Sequence, residues 1–178
     1  MLDQAQFIEC DLSGARFPRA SLVRTLFLKC PLRVADFREA RLHKTVFVQG
    51  CDLESAVFVG ATLIEANLRG MRLPGADFSQ AVLDKSDFSK CDLTGARLAR
   101  VRAFGTQFVA ATLASADLTH GNFMQASLAR ADLRGAILTE ACLFEADMAR
   151  VRIDTATSTE RMITTRMRYL PRYRTPAA

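Results

Sequence analysis

Cys10, Cys30, Cys51 and Cys91 recur at intervals of about twenty or forty residues. Thiols held at a regular spacing are what a zinc site would draw on. Two histidines, His43 and His120, and the aspartates Asp11, Asp52, Asp92 and Asp132 are the other side chains from which proton transfer or metal chemistry could be built. Whether any of these groups meet depends on the elements that carry them.

Those elements follow a period of five. The stretch from Ala76 to Gly95 is four pentads of small residue, polar residue, Leu or Phe, then two polar or turn residues. With the large apolar residue taken as the centre of each pentad, the phase runs from Phe7 to Phe47, slips by one residue at Gly50, and resumes from Leu53 to Ile153. Of thirty centres only Ala103 is not Leu, Phe, Met or Ile.

The pattern resembles the pentapeptide-repeat family, whose units read Ala-(Asp/Asn)-Leu-x-x. Ala66-Asn67-Leu68, Ala76-Asp77-Phe78, Ala116-Asp117-Leu118, Ala131-Asp132-Leu133 and Ala146-Asp147-Met148 carry the resemblance, which spans residues 5 to 155. It implies an all-β fold, a right-handed quadrilateral β-helix with four pentads per coil. The domain expectation is a β-helix over residues 1–155, about seven and a half coils with a one-residue insertion at Gly50. Residues 156–178 are expected to form a capping helix followed by a basic extended tail.

With twenty residues per coil the centres sort into four columns, one per face of the prism. Phe7, Phe27, Phe47, Leu68, Phe88 and Phe108 open the first face, and Phe17, Phe37, Phe58 and Phe78 open the third. Leu dominates the second and fourth. Residues two before each centre should also point inward, and on the third face they are all alanine from Ala15 to Ala136. Gly14, Gly60, Gly70, Gly75, Gly95, Gly105 and Gly135 fall two after a centre, at corners where positive φ is expected. Ala103 leaves a volume deficit. Either Phe123, stacked in the next coil, or Phe104 turning inward would fill it.

This frame disposes of the candidate chemistry. The four cysteines lie two before a centre on one face, in a column with Met71, and line a dry core as small side chains. Stacked neighbours have parallel side-chain vectors, which suits no disulfide. His43 and His120 are about fifteen pentads apart, roughly 18 Å along the axis at strand spacing. The aspartates recur as a solvated ladder. No catalytic, cofactor-binding or metal site is expected, and the chain is read as non-enzymatic.

The formal net charge of +5 is uneven: Lys and Arg against Asp and Glu number eight to five in residues 1–50, eleven to twelve in 51–153, and five to two in 154–178. No basic run is interleaved with aromatics, which argues against nucleic-acid binding. No segment has the length and apolarity of a membrane helix, and the start Met1-Leu2-Asp3-Gln4 lacks the features of a signal peptide, so cytoplasmic residence is expected.

Positions flanking the centres face solvent, so apolar residues there are informative. Ile8, Leu26, Leu28, Val46 and Val48 cover three successive coils of the first face, and Phe104, Met124 and Phe144 form a column on the fourth, beside Val82 and Cys142. Both are expected to be protein interfaces. After Asp154 the period is lost, and residues 157–170 read as a short helix with Ile163, Met167 and Leu170 on one side. Nothing comparable precedes Phe7, so the first coil is expected to be covered by another chain or by further protein.

The functional expectation is a protein–protein interaction scaffold, with a homodimer through an end or an apolar face among its forms. Cys142 to Arg150 looks similar to repeat tracts of bacterial type VI secretion-associated proteins, which extends the expectation to a module of a larger protein. The alternative implied by the family is a DNA mimic that binds a topoisomerase such as gyrase, as quinolone-resistance members do. A net basic chain with Arg97, Arg100 and Arg102 clustered near one corner argues against that.

The inward and outward positions make different demands on stability. Phe78→Ala is expected to cost about 3 to 5 kcal/mol, and Asp77→Ala under about 1 kcal/mol, in urea melts. Equal midpoint shifts would refute the orientation of the pentad.

Overall fold

The computed structural model describes residues 1–48 and 50–168. Among them there is no helix, and the backbone winds as a quadrilateral β-helix in which parallel bridges join residues one coil apart. Asp77 bridges Val57 behind it and Arg97 ahead, and the same step repeats on all four faces. The interval is twenty residues except across Gly50, where Pro31 pairs with Asp52, and across a second insertion after Ile153.

Each pentad is closed by hydrogen bonds within and between coils. Within a coil, the Ala81 amide donates to the Phe78 carbonyl at 2.9 Å and turns the corner. Between coils, Phe78 donates to Arg97 at 2.7 Å, Gln80 to Ala99 at 3.0 Å, and Asp77 to Ala56 at 2.9 Å. Beyond that corner bond an extended chain so short finds no backbone carbonyl inside its own coil, so its other backbone–backbone bonds go to the coils above and below. Where Asp or Asn precedes the centre, its side chain accepts the amide of the residue after the centre, as in Asp77 with Ser79 at 2.9 Å and Asn122 with Met124 at 3.1 Å. That bond is the physical reason for the acidic or amide residue in the repeat.

Corners take the left-handed conformation regardless of residue type. Gly75 has φ +66°, but Lys85 has φ 59° and Val34 φ 57° in the same place. The Val34 side chain is 61% exposed, and a β-branched residue in this region is strained. The pentad geometry, not glycine, dictates the turn.

Inside, the expected columns form. Phe7, Phe27 and Phe47 stack at 5.0 and 4.9 Å between ring centroids, and Phe17, Phe37, Phe58 and Phe78 at 5.1, 4.9 and 4.7 Å. The two stacks meet edge to face across the core, as Phe27 does with Phe37 at 6.2 Å. Polar residues at the inward small position donate to carbonyls of the preceding coil: Thr45 to Leu22 at 2.7 Å, Thr106 to Leu83 at 2.8 Å, and Ser86 to Leu63. No buried side-chain nitrogen or oxygen among the described residues lacks a partner.

Of the two ways to fill the deficit at Ala103, the structure uses Phe123. Phe123 is fully buried against Phe108 at 6.0 Å, whereas Phe104 stays half-exposed. Gly121 makes this fit, since a Cβ there would lie 2.4 Å from the Phe123 ring. In the coil before, the sizes are reversed, with Val101 and Ala103 both buried.

The helix expected over 157–170 is absent from its described part. Ser158 bridges Ile137, Ile163 bridges Cys142 and Arg168 bridges Asp147, each at an interval of 21 residues, so the solenoid continues after a second one-residue insertion between Ile153 and Thr157. Thr157 donates to the Leu133 carbonyl at 3.0 Å, the same bond that Thr45 makes. Thr159 and Thr164 take the place of apolar centres and are exposed, while Met162 and Met167 pack against the core from the small position. The β-helix therefore extends past residue 155. Leu170 and the basic stretch Tyr169 to Arg174 lie outside the described residues.

Gly121 and Phe123 share one volume, so their effects are coupled. Gly121→Ala is expected to destabilise by about 1 to 3 kcal/mol through overpacking. Combining it with Phe123→Leu should recover part of that loss, and denaturant melts of the single and double variants giving strictly additive effects would refute the coupling.

Candidate functional site

The sequence-derived chemistry resolves into structural roles. Cys30, Cys51 and Cys91 are buried free thiols, and Cys91 donates to the Leu68 carbonyl at 2.9 Å. Burial pushes the Cys91 thiol up to about 12 and raises Cys51 as well, which keeps both protonated and unreactive. No group of three or more His, Cys, Asp or Glu side chains among the described residues is placed to hold a metal ion. His120 sits at a corner with Nδ1 3.1 Å from Glu140, and nothing brings His43 to it.

The aspartate ladder is interleaved with arginine. Asp52 lies between Arg33 at 3.1 Å and Arg72 at 3.8 Å, Asp77 is 3.6 Å from Arg97, and Asp132 takes both Arg134 at 2.6 Å and Arg152 at 3.4 Å. Hydrogen bonds from Arg38 and Arg134 hold the Asp36 and Asp132 carboxyls below the usual range. The outer surface of these faces is thus a mosaic of paired charges.

The apolar exceptions are where the sequence places them. β1 (Gln6–Ile8), β2 (Leu26–Leu28) and β3 (Val46–Val48) form a parallel three-stranded sheet on the first face, pairing Ile8 with Leu28 and Leu28 with Val48. Leu26 pairs with Val46 in the neighbouring column. Phe7, Phe27 and Phe47 point into the core from the same strands, so the flanking residues face out as an apolar surface. Ile8 is 49% exposed and the other four are partly exposed. Beside Val46 and Val48, an open groove of about 600 Å3 runs past Gly50 and Met71 to Arg69 and Arg72.

The second surface is on the fourth face. Backbone bonds from Gly105 to Met124 at 3.0 Å and from Gln125 to Phe144 at 2.9 Å stack Phe104, Met124 and Phe144 in consecutive coils. The neighbouring column runs Val82, Arg102, Asn122, Cys142 and Ile163. Ile163, 51% exposed, is a member that the helical reading of the tail missed. The signal for it was Thr157, which repeats the position of Thr45 once a single residue is allowed for. The two surfaces lie on different faces and in different coils of the solenoid, so they are separate.

Models of pentapeptide repeats match residues 61–99 and 106–149 in eight copies, and a model of a pentapeptide repeat region matches residues 1–78. The chain belongs to the pentapeptide-repeat family. No curated protein sequence matches it significantly. Among solved pentapeptide-repeat structures, HetL, involved in heterocyst differentiation regulation in the cyanobacterium Nostoc sp. strain PCC 7120, is 24% identical. The match covers 90% of this chain and 85% of HetL, with a TM-score of 0.34. QnrB1, a plasmid-mediated fluoroquinolone resistance protein, is 25% identical over 84% of this chain and 82% of its own, with a TM-score of 0.37. Rfr23 from the cyanobacterium Cyanothece 51142 is 24% identical over 86% and 90%, with a TM-score of 0.27. These three scores are below 0.5, and the fold rests on the coils themselves.

Because Asp36 and Asp132 are depressed below the model-peptide value of about 3.9, they stabilise the folded chain above that value, and the contribution is lost as pH falls through their lower folded values. Asp132→Asn keeps an acceptor for the turn amide but removes the charge. Its destabilisation is expected at pH 7 and should shrink as the pH falls below the ordinary carboxylate range, as read from thermal melts across that range. A pH-independent difference would refute the ion-pair account.

Proposed function

We propose that this pentapeptide-repeat protein is a non-catalytic interaction scaffold whose first-face sheet docks another protein. The observation that supports it is the outward apolar set Ile8, Leu26, Leu28, Val46 and Val48, held in register on a rigid sheet whose core side is already filled by stacked phenylalanines. These five side chains have no core duty, and an apolar area continuous over three coils is the usual mark of an interface. The adjoining Arg69 and Arg72 give the surface a polar rim. Buried free thiols at Cys30, Cys51 and Cys91 suit a reducing compartment, in keeping with a cytoplasmic protein.

A DNA-mimicking topoisomerase binder is the weaker reading. Such a surface must offer uncompensated negative charge along a face. Here arginines stand between or beside the aspartates of the second and third faces, and the chain carries a formal net charge of +5. A gyrase supercoiling assay, with and without fluoroquinolone, is expected to show no effect of the protein.

Replacing Leu26, Leu28 and Val48 together by Lys is expected to leave the parallel β circular dichroism spectrum intact while lowering affinity for the docked protein at least tenfold, on the order of 1.4 kcal/mol or more. Products of neighbouring genes are the natural partners to titrate by calorimetry. Affinity unchanged by the triple substitution would remove the first face as the docking surface.

A further inference from the structure

We infer that the fourth face binds a second copy of this chain, with the two solenoids antiparallel and related by a two-fold axis in the contact plane at the level of Met124. The inference rests on the scaffold reading, but on a different surface. Its basis is a symmetry in the order of side chains along the axis. One column reads Phe104, Met124, Phe144 in consecutive coils, each partly exposed, and the other reads Val82, Arg102, Asn122, Cys142 and Ile163. An axis across the coils at Met124 reverses each column onto itself. Met124 and Asn122 then meet their own counterparts, Phe104 meets Phe144 of the second copy, Val82 meets Ile163, and Arg102 meets Cys142 at the border of the patch. A closed two-fold contact requires this kind of self-complementarity.

The charged borders agree with the same axis. Asp84 and Arg102, paired at 2.7 Å, bound the apolar column on its N-terminal side. Reversal carries Asp84 of the second copy to the level of Arg166, whose guanidinium lies 6.0 Å from the centre of the Phe144 ring. Arg102 of the second copy arrives beside Glu140. A parallel arrangement about an axis along the solenoid would instead set each exposed column against the other at equal height, pressing Arg102 of one copy on Phe104 of the next. There Arg102 keeps Asp84 of its own chain but meets an aromatic ring and gains no acidic group of the second copy, whereas reversal brings it to Glu140.

Five coil levels at strand spacing span about 20 Å. One side of a narrow prism over that length offers an area on the order of 500 Å2 per copy, below the roughly 800 Å2 of a standard interface. The dimer is accordingly weak and concentration-dependent.

Register-specific cross-linking tests the arrangement. In the full chain with Cys10→Ser and Cys142→Ser, the two cysteines that are not buried are removed. Met124→Cys is expected to form a covalent dimer on mild oxidation. Phe104→Cys and Phe144→Cys, about two coils from their own counterparts, should each cross-link poorly alone but readily when mixed. Sedimentation should in parallel show self-association of the unmodified chain that Met124→Lys abolishes and the Leu26, Leu28, Val48 triple Lys variant retains. Failure of Met124→Cys to cross-link, or equal cross-linking by all three single variants, would overturn the antiparallel dimer. A chain that is monomeric throughout while its first face still binds a partner would overturn the dimer and leave the proposed function standing.

Discussion

Every coil of this protein depends on its neighbours for backbone hydrogen bonding. A pentad is too short to satisfy its own amides, and beyond the corner bond and the bond to an Asp or Asn side chain they donate to the coil ahead or the coil behind. This fixes the spacing of coils at that of paired strands, and hence the volume available at each level of the core. The sequence period is the trace of that constraint. Aspartate or asparagine before the centre ties the turn, the centre fills the interior, and the corner adopts positive φ whichever residue stands there.

Constant volume per level explains features that a one-position rule leaves anomalous. Two inward positions serve each pentad, and they trade size. Val101 stands with Ala103, Gly121 with Phe123, and Met162 with Thr164. The core is therefore specified by pairs of residues two apart and by their neighbours one coil away. The edge-to-face contacts between opposite phenylalanine stacks show the same sharing across the interior.

Much of the fold is legible because the repeat is short and the columns cross-check one another. The phenylalanine faces, the alanine column, the inward cysteines and the two outward apolar clusters follow from counting by twenty. The end of the solenoid was not legible, for a definite reason. An inserted residue after Ile153 coincides with threonine in place of the next two centres, so both the phase and the apolar signal vanish together. Thr157 still marks the phase through its bond to the Leu133 carbonyl, but only the three-dimensional stacking gives that threonine its meaning. Ile163 went unassigned to the fourth face for the same reason. The choice between Phe104 and Phe123 also lay beyond sequence alone, because it depends on the 2.4 Å clearance at Gly121.

The change in core composition along the axis gives the molecule a mechanical polarity. Stacked aromatic rings run through its first four coils, leucine dominates its middle, and exposed threonines stand at the centres of its last described coil. Cohesion between coils falls in that order, since less apolar surface is shared at each step. A pull along the axis is therefore expected to part the described coils first on the threonine side and last among the ring stacks.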